Sequence, residues 1–465
     1  MSLLSLFILI ATTTQLTTCH AKYTQPTSLV LGLIHSRALL APKASKPTEM
    51  LDMLEPLTEY RDGYLFPLKL GTPPQVLQVY MDTGSDLTWV PCGNLTFDCM
   101  NCDDDRTYKS MASFSPSLSS SSHRDLCGSP LCSNVHSSDN PYDTCIEAGC
   151  SLSTLLKGTC QRLCPSFSYT YGGGGVVTGS LTRDTLRIHG GDTGVLRDVT
   201  NFCFGCVGTT YREPIGIVGF GRGSLSFPSQ LGFLNKGFSH CFLGFQFANN
   251  PNMTSPLVMG DLAISCKDHF KYTPMLRSPM FPNYYYIGLE AIVVGNNVSI
   301  EVPSNLKAFD SQGNGGLLID SGTTYTQLPR PLHVRLLSAI RSKMAYQRSS
   351  ELEKRTGFEL CYKVPCSKNS CIGDFPSITL HFVKDVKLVL PKENCFYAMA
   401  APVSNHVVKC LLFQSMEDET YGPVGVLGNF QQQNVEVVYD LEEERIGFHL
   451  MDCASSAASH GLLEK

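Results

Sequence analysis

Apolar residues recur along most of the chain in short runs rather than at long helical spacing. From Tyr64 onward these runs are rich in β-branched and aromatic residues, and Gly, Pro, Ser and Asn separate them at close intervals. Such a pattern is typical of short strands joined by turns, so it predicts a mostly β protein. Two helices are expected within it, a short one at residues 226–231 and a longer one at 331–346. The apolar face of the longer helix would comprise Leu332, Leu336, Leu337 and Ile340.

Two of the predicted strands end in the same short signature. The two copies, 238 positions apart, are Met81-Asp82-Thr83-Gly84-Ser85 and Ile319-Asp320-Ser321-Gly322-Thr323. Each half of the chain later carries two apolar residues and a glycine, Ile217-Val218-Gly219 in the first half and Val426-Leu427-Gly428 in the second. The repeated order predicts two similar lobes that face each other and bring Asp82 and Asp320 together.

Two carboxylates that meet at about 3 Å cannot both ionise, so they share one proton. One carboxylate can then activate a water molecule while the other, protonated, polarises a carbonyl. Asp82 and Asp320 are therefore the predicted catalytic pair, and the sequence assigns the shared proton to neither of them. Two unrelated turns would be the alternative interpretation.

The other residues of the two signatures are expected to support this pair. Small hydroxyl residues can donate hydrogen bonds to carboxylate oxygens, and glycine lets a second backbone approach closely. The predicted roles are donation to the outer carboxylate oxygens by Ser85 and Thr323, close approach of the turns at Gly84 and Gly322, and bonds across to the opposite loop by Thr83 and Ser321.

The order of these motifs resembles the pepsin-like aspartic proteases, and within them the plant nepenthesin-type branch. The resemblance runs from residue 64 to residue 453. Further motifs that carry it are Gly71-Thr72-Pro73-Pro74-Gln75, Asp86-Leu87-Thr88-Trp89-Val90, Tyr169-Thr170-Tyr171-Gly172, Gly219-Phe220-Gly221-Arg222-Gly223-Ser224-Leu225-Ser226 and Leu427-Gly428-Asn429-Phe430. It implies a bilobal acid protease fold with the active-site cleft between the lobes, polypeptide substrates, and no cofactor.

The segment from Tyr169 to Val177, with Gly172 to Gly175 at its centre, predicts a β-hairpin with a mobile, glycine-rich tip. The resemblance implies that this hairpin is the flap over the cleft, including Tyr171 and Gly172, with the indole N–H of Trp89 bonded to the Tyr171 phenol. A buried aromatic pair without that role is the alternative. Relatives usually have Asp and Ser where this chain has Gly173 and Gly175, so order and specificity of the flap are expected to differ.

Composition places the chain in the secretory pathway and argues against nucleic acid as a partner. The charged content is 17% and the net charge is -5, without a basic run. Residues 1–21 contain an apolar stretch that is too short to span a bilayer and end in small residues, as a signal peptide does. Residues 454–465 lack the apolar tail of a lipid anchor. Extracellular space is the expected destination, with the vacuole or another endomembrane compartment as alternatives, and the protein is expected to be a monomer.

Twenty cysteines support an oxidising compartment and favour disulfides over metal. Nine of them lie in an insert at residues 92–164. Removal of the signal leaves an odd number, so one thiol should be free or paired between chains. The resemblance implies bridges from Cys206 to Cys453 and from Cys361 to Cys410. Glycosylation sequons start at Asn94, Asn252 and Asn297.

The predicted division is a propeptide at 22–60, an N-terminal lobe at 61–275 and a C-terminal lobe at 276–453. The propeptide is implied by the resemblance, and a flexible arm is the alternative. Its cationic first part, which includes Arg37, is expected to lie in an acidic cleft until acid releases it. The leading function is a secreted aspartic endopeptidase made as a zymogen. The alternatives are a protease-like binding or inhibitor protein and a structural wall protein.

Overall fold

The computed structural model describes residues 28–40, 62–98, 112–136, 143–189, 196–265, 269–366, 371, 373–399, 405–416 and 422–463. Most of the regular structure is β. The strands are β1 Ser28–His35, β2 Tyr64–Leu70, β3 Gln75–Asp82, β4 Trp89–Asp98, β5 His123–Arg124, β6 Phe167–Thr170, β7 Val176–His189, β8 Leu196–Tyr211, β9 Gly216–Gly219, β10 Phe238–Cys241, β11 Thr254–Gly260, β12 Lys271–Leu276, β13 Tyr286–Ile287, β14 Leu289–Val294, β15 Val298–Glu301, β16 Leu317–Ile319, β17 Thr326–Pro329, β18 Gln347–Arg348, β19 Cys361–Pro365, β20 Ile378–Phe382, β21 Val386–Val389, β22 Phe396–Ala398, β23 His406–Leu411, β24 Phe413–Met416, β25 Gly425–Leu427, β26 Val435–Asp440 and β27 Arg445–Leu450.

The helices are short, and both predicted ones are present. The α-helices are Ser36–Leu40, Pro130–His136, Thr144–Glu147, Leu152–Leu156, Phe227–Gln230, Asp261–Ile264, Ser304–Lys307, Arg330–Arg341, Ser350–Thr356, Lys392–Cys395 and Cys453–Ser459, and single 3-10 turns occupy Pro116–Leu118, Phe245–Phe247 and Asn429–Gln432. The longest helix buries its predicted apolar face but ends five residues before residue 346. Its apolar spacing stops at Ile340, and the Ser342 hydroxyl then bonds the Ala339 carbonyl. None of the helices within the described ranges has the length and apolar character needed to cross a bilayer.

The two halves of the chain repeat one strand arrangement. β3, which ends in Asp82, runs parallel to β9, and Asp82 lies opposite Gly219. β16 runs parallel to β25, with Ile319 opposite Leu427. Each aspartate turn therefore follows the end of a buried strand. In both halves, the neighbouring parallel strand carries the two apolar residues that precede a glycine. The mostly β, two-lobed fold predicted from the duplication is confirmed.

One sheet runs between the halves. β10 pairs with β11 and β26, β26 pairs with β27, and β27 pairs with β12. β1 joins this sheet, because it pairs with β11 from Ser28 opposite Gly260 to Ile34 opposite Thr254, and its end also pairs with β2. Part of the predicted propeptide is thus a strand of the central sheet.

The helix after β1 is anchored by a buried ion pair. Arg37 Nη2 lies 2.7 Å from Asp62 Oδ2, and Arg37 and Asp62 are both about 2% exposed. The Arg37 guanidinium is also stacked over Phe245 at 4.8 Å. The expectation that Arg37 faces the cleft is therefore wrong, since its guanidinium is buried against Asp62 and Phe245.

The disulfides correct one predicted pair. Cys361 is bonded to Cys410, as predicted, across the paired strands β19 and β23. Cys206 and Cys453 are not bonded to each other. A bridge requires Cα atoms within about 7 Å, and the neighbours at that distance are Cys92 for Cys206 (5.3 Å) and Cys241 for Cys453 (5.4 Å).

Three internal bridges hold the described part of the cysteine-rich insert, and another bridge closes a short loop of the second half. The pairs are Cys127–Cys145, Cys132–Cys164 and Cys150–Cys160 in the insert, and Cys366–Cys371 in the second half. Two cysteines of the described ranges, Cys203 and Cys395, are free and buried. The expectation of one free thiol is therefore wrong, since two are present. A buried cysteine needs no disulfide partner, because its thiol packs as a small apolar side chain.

Candidate active site

The turn after β3 holds the first aspartate. Asp82 is 3% exposed. Its Oδ1 accepts a hydrogen bond from Gly84 N at 2.9 Å, and its Oδ2 accepts one from Ser85 Oγ at 2.7 Å. The Asp82 carbonyl accepts from Phe220 N at 2.7 Å, which fixes the turn to the end of β9. Backbone and side-chain donors thus define the orientation of the carboxylate.

The turn after β16 has the same construction. Asp320 Oδ1 accepts from Gly322 N at 2.8 Å, and Oδ2 accepts from Thr323 Oγ1 at 2.6 Å. Asp320 N donates to the Leu427 carbonyl at 3.1 Å, which ties the turn to β25. Asp320 is more exposed than Asp82, so solvent reaches the pair from its side.

Each carboxylate lies against the glycine of the opposite turn. A Cβ added to Gly84 would stand 2.6 Å from Asp320 Cγ, and one added to Gly322 would stand 2.4 Å from Asp82 Oδ1. Real Cβ atoms do not approach other atoms this closely. Glycine at both positions is therefore what allows the two carboxylates to meet.

Two hydroxyls cross between the turns, as the sequence predicts. Thr83 N donates to Ser321 Oγ at 3.0 Å, and Ser321 N donates to Thr83 Oγ1 at 2.9 Å. Each hydroxyl then donates to a carbonyl of the opposite strand, Thr83 Oγ1 to Ile319 O and Ser321 Oγ to Met81 O, both at 3.0 Å. These four buried bonds fix the relative position of the two strand ends.

A residue whose role the sequence did not reveal supports the floor of the site. Asn429 Nδ2 donates to the Ser321 carbonyl at 3.0 Å and to the Asp62 carbonyl at 2.8 Å. Asn429 is completely buried. Its amide connects the second aspartate turn to the residue that pairs with Arg37, and its place in the Leu427–Phe430 motif was the only sequence signal for it.

The predicted hairpin is formed by β6 and β7, and its loop is closed by Tyr171 N bonded to Gly175 O at 2.8 Å. Trp89 Nε1 donates to the Tyr171 hydroxyl at 2.7 Å, with both side chains buried. The predicted contact between Trp89 and Tyr171 is therefore present. Gly172 follows at the exposed tip.

Two charged residues that belong to no recognisable motif in the sequence contact the loop between β6 and β7. Arg212 Nη1 donates to the Gly173 carbonyl at 3.2 Å. A Cβ on Gly175 would stand 2.1 Å from Oε1 of Glu213, which is buried. The Glu213 side chain thus occupies the space that a serine at position 175 would need, so the two side chains could not both keep this arrangement.

The remaining candidate groups are the glycosylation sequons and two clusters of cysteine and histidine. The three sequon residues Asn94, Asn252 and Asn297 are exposed. Two groups of side chains have sulfur or imidazole atoms close enough together to hold a metal. One is Cys127, Cys145, Cys150 and Cys160, and the other is Cys132, His136 and Cys164. All of these cysteines are paired in disulfides, which removes the thiolates that a metal would need.

Comparison with known proteins agrees with this geometry. The family model described as Xylanase inhibitor N-terminal matches residues 64–261, and the one described as Xylanase inhibitor C-terminal matches residues 284–450. Among solved structures, basic 7S globulin from soybean has a TM-score of 0.60 and 18% identity over 92% of this chain and 97% of its own. The structure titled edgp has a TM-score of 0.62 and 18% identity over 93% and 96%. At such identities these likenesses establish the fold.

Relatives of higher identity carry protease names. A probable aspartyl protease of Arabidopsis thaliana is 34% identical over 84% of this chain and 82% of its own length. Aspartic proteinase nepenthesin-1 of Nepenthes gracilis is 31% identical over 85% and 79%. With the paired aspartate turns and the two matching family models, the chain belongs to the pepsin-like aspartic protease family, in the plant branch that includes the nepenthesins.

Proposed function

We propose that the protein is a secreted aspartic endopeptidase that hydrolyses peptide bonds in acid. The observation that carries the proposal is the doubled turn. Asp82 and Asp320 each accept one backbone N–H and one hydroxyl, and each lies against the glycine of the other turn. A fixed pair of facing carboxylates is what a shared-proton mechanism requires.

In this mechanism the carboxylates do all the proton transfer. A water molecule between Asp82 and Asp320 gives a proton to the ionised carboxylate as it attacks the scissile carbonyl, and the protonated carboxyl donates to the carbonyl oxygen. The resulting tetrahedral diol collapses when the carboxyl that took the water proton gives it to the leaving amine and the other carboxylate takes a proton back from a diol hydroxyl. The pair then again holds one shared proton. Ser85 and Thr323 hold the outer oxygens throughout, and the flap with Tyr171 limits the entry of bulk water.

The proposal includes secretion and synthesis as a zymogen. Seven disulfides within the described ranges suit an oxidising compartment. Removal of the predicted propeptide, residues 22–60, would then accompany activation. Full activity of the secreted chain with that segment still attached, as determined by mass spectrometry, would contradict this part.

The alternative function is a binding protein with the protease fold. It is favoured by the descriptions of the two matching family models, which name a xylanase inhibitor. The complete pair of aspartate turns favours catalysis, because binding alone does not require two carboxylates with identical donors.

The test is peptide hydrolysis by purified D82N and D320N variants. An amide can neither act as the base nor exchange the shared proton, so we expect the rate to fall at least about a thousandfold. The wild-type rate should rise from neutral towards acid pH and fall again once both carboxyls are protonated, and pepstatin should inhibit it. D198N, which changes an exposed carboxylate paired with Arg187, is the matched control and should retain activity. Processed wild-type protein without hydrolysis at any pH would instead support the binding protein.

A further inference from the structure

Asp86 is a third buried carboxyl near the aspartate pair, and the proposed mechanism does not use it. It directly follows Ser85 and is 8% exposed. Asp86 Oδ1 accepts from Gly223 N at 2.7 Å, and Oδ2 accepts from Asn283 Nδ2 at 2.7 Å. Both oxygens are therefore engaged, one within the first half of the chain and the other with the connection that leads to the second half.

The backbone closes tightly around this carboxyl. A Cβ on Gly221 would stand 2.3 Å from Asp86 Oδ1, and one on Gly223 would stand 2.4 Å from Oδ2. The Asn283 amide has more freedom, because it is exposed and borders a cavity of about 560 Å³. The carboxyl is thus the fixed partner, and Asn283 takes its orientation from it.

Asn283 precedes a tyrosine that is near both the aspartate pair and Tyr169 of the hairpin. Tyr284 is close enough to Asp82 and Asp320 to be influenced by their charge, and its phenol lies near that of Tyr169. The Tyr169 ring contacts the Tyr171 ring at 5.1 Å between centroids. Asp86 is therefore connected to the hairpin through the Asn283 amide, the next residue Tyr284, and the neighbouring ring of Tyr169.

The groups that face Asp86 are mostly neutral. They are the phenols of Tyr169, Tyr284 and Tyr285. Arg222 contributes its backbone N–H to the Asn283 carbonyl at 2.7 Å, while its guanidinium lies 3.3 Å from Glu444. Within the described ranges Asp86 has no ion pair. Burial accordingly raises the pKa of Asp86 to about 6, against the lowering effect of the bonds from Gly223 and Asn283.

We propose that Asp86 is a positioning residue that fixes Asn283 and, through it, the paired phenols of Tyr284 and Tyr169 on the cleft wall, and so sets the affinity for the peptide substrate. The inference rests on the proposed peptidase activity. Asp86 does not touch the reacting atoms, so its loss should change KM more than kcat. In acid the carboxyl is neutral, and a neutral isostere can make the same two contacts if the Asn283 amide turns over.

Steady-state kinetics on a fluorogenic peptide between pH 3 and pH 7 test the proposal. D86A should raise KM about tenfold at pH 4, because the hydrogen bonds of the carboxyl to Gly223 and Asn283 are lost, with kcat within about threefold of wild type. D86N should bring KM back to within about twofold of wild type at pH 4 and abolish the change in KM that the wild type shows around pH 6. D184A removes another buried carboxyl, bonded to Thr185 and Ser121, and should lower the unfolding temperature without changing KM.

Two results would overturn the inference. The first is a KM of D86A equal to that of the wild type, and the second is a KM of D86N that still changes near pH 6 as in the wild type. If D86A does not fold, the pH profile of D86N still decides. An active wild type with an unaltered D86A would contradict the positioning role alone. An inactive wild type would contradict the proposed function itself, and the inference with it.

Discussion

A single methyl group tests how closely the two carboxylates are held. G84A or G322A would place a Cβ within 2.6 Å or 2.4 Å of the opposite carboxylate, so the pair must separate. Because a displacement of about 1 Å can cost about a hundredfold in rate, we expect a loss of that order in kcat/KM, measured by peptide hydrolysis. G208A is the control, since a Cβ there would meet open space. Equal activity of G84A and G208A would contradict the close approach.

At the residue scale, the site residues that could be predicted are those that belong to the repeated signature. The signature occurs twice, so the repeat alone was enough to place Asp82, Asp320 and the crossing hydroxyls of Thr83 and Ser321. Arg212 and Glu213 belong to no repeated motif. They contact the loop between β6 and β7 only because folding brings distant segments of the chain together. Spacing along the chain carries no signal for such contacts.

The cysteine-rich insert is an element whose stability depends on its bridges. Cys132–Cys164 closes a separation of 32 residues, and Cys366–Cys371 closes only 5. The chain-entropy model gives about 4 kcal/mol for the first bridge and about 2 kcal/mol for the second. We therefore expect C132A/C164A to lose about twice as much free energy of unfolding as C366A/C371A, measured by denaturant titration.

The Cys132–Cys164 bridge also lies close in the chain to the hairpin of β6 and β7, since Cys164 stands just before β6. C132A/C164A should for that reason lower kcat/KM as well, whereas C366A/C371A should not. Equal losses of stability and activity in the two double variants would show that the insert does not depend on this staple.

At the element scale, local patterns were sufficient for the flap hairpin and for the start of the long helix. They failed where an element depends on a distant partner. Residues 28–35 are short and apolar, and nothing near them in the chain reveals that β11 offers a complete set of backbone partners. The pairing of Cys206 with Cys92 likewise follows from the neighbouring strands β4 and β8, not from the spacing of cysteines.

For the whole molecule, buried histidines should set the acid limit of stability. Burial lowers the pKa of His35 to about 4 and that of His240 to about 3, from 6.5. The folded state therefore binds these protons less readily than the unfolded chain, and the stabilisation present above pH 6.5 is lost as the pH falls towards those values. Asp86 acts in the opposite direction, because its raised pKa makes the folded state gain stability as the pH falls from about 6 to 3.8.

Urea unfolding at pH 7 and pH 4 can separate these contributions. H240F removes a titrating group that is stacked on Phe242, so the wild type should lose about 3 kcal/mol more than H240F between the two pH values. H123Q changes an exposed histidine and should keep the wild-type difference. An identical pH dependence in H240F would mean that His240 does not resist protonation in the folded state.

The fold as a whole could be predicted because duplication, strand-like patterning and motif order all pointed to one architecture. The sequence did not indicate how the halves are joined. That junction consists of backbone pairing among β1, β10, β11, β12, β26 and β27, and backbone groups are the same in every residue except proline.

Cutting the chain and removing a piece of it are different events in this protein. β1 is held by backbone pairing along β11 and, through the adjoining helix, by the buried bond between Arg37 and Asp62. A single nick between β1 and β2 would break one covalent bond and none of these contacts. The product would be a two-chain molecule whose small fragment is lost in a denaturing gel but comigrates with the body under native conditions. Actual departure of the fragment would uncover β11 as an unpaired edge, a surface that invites another strand.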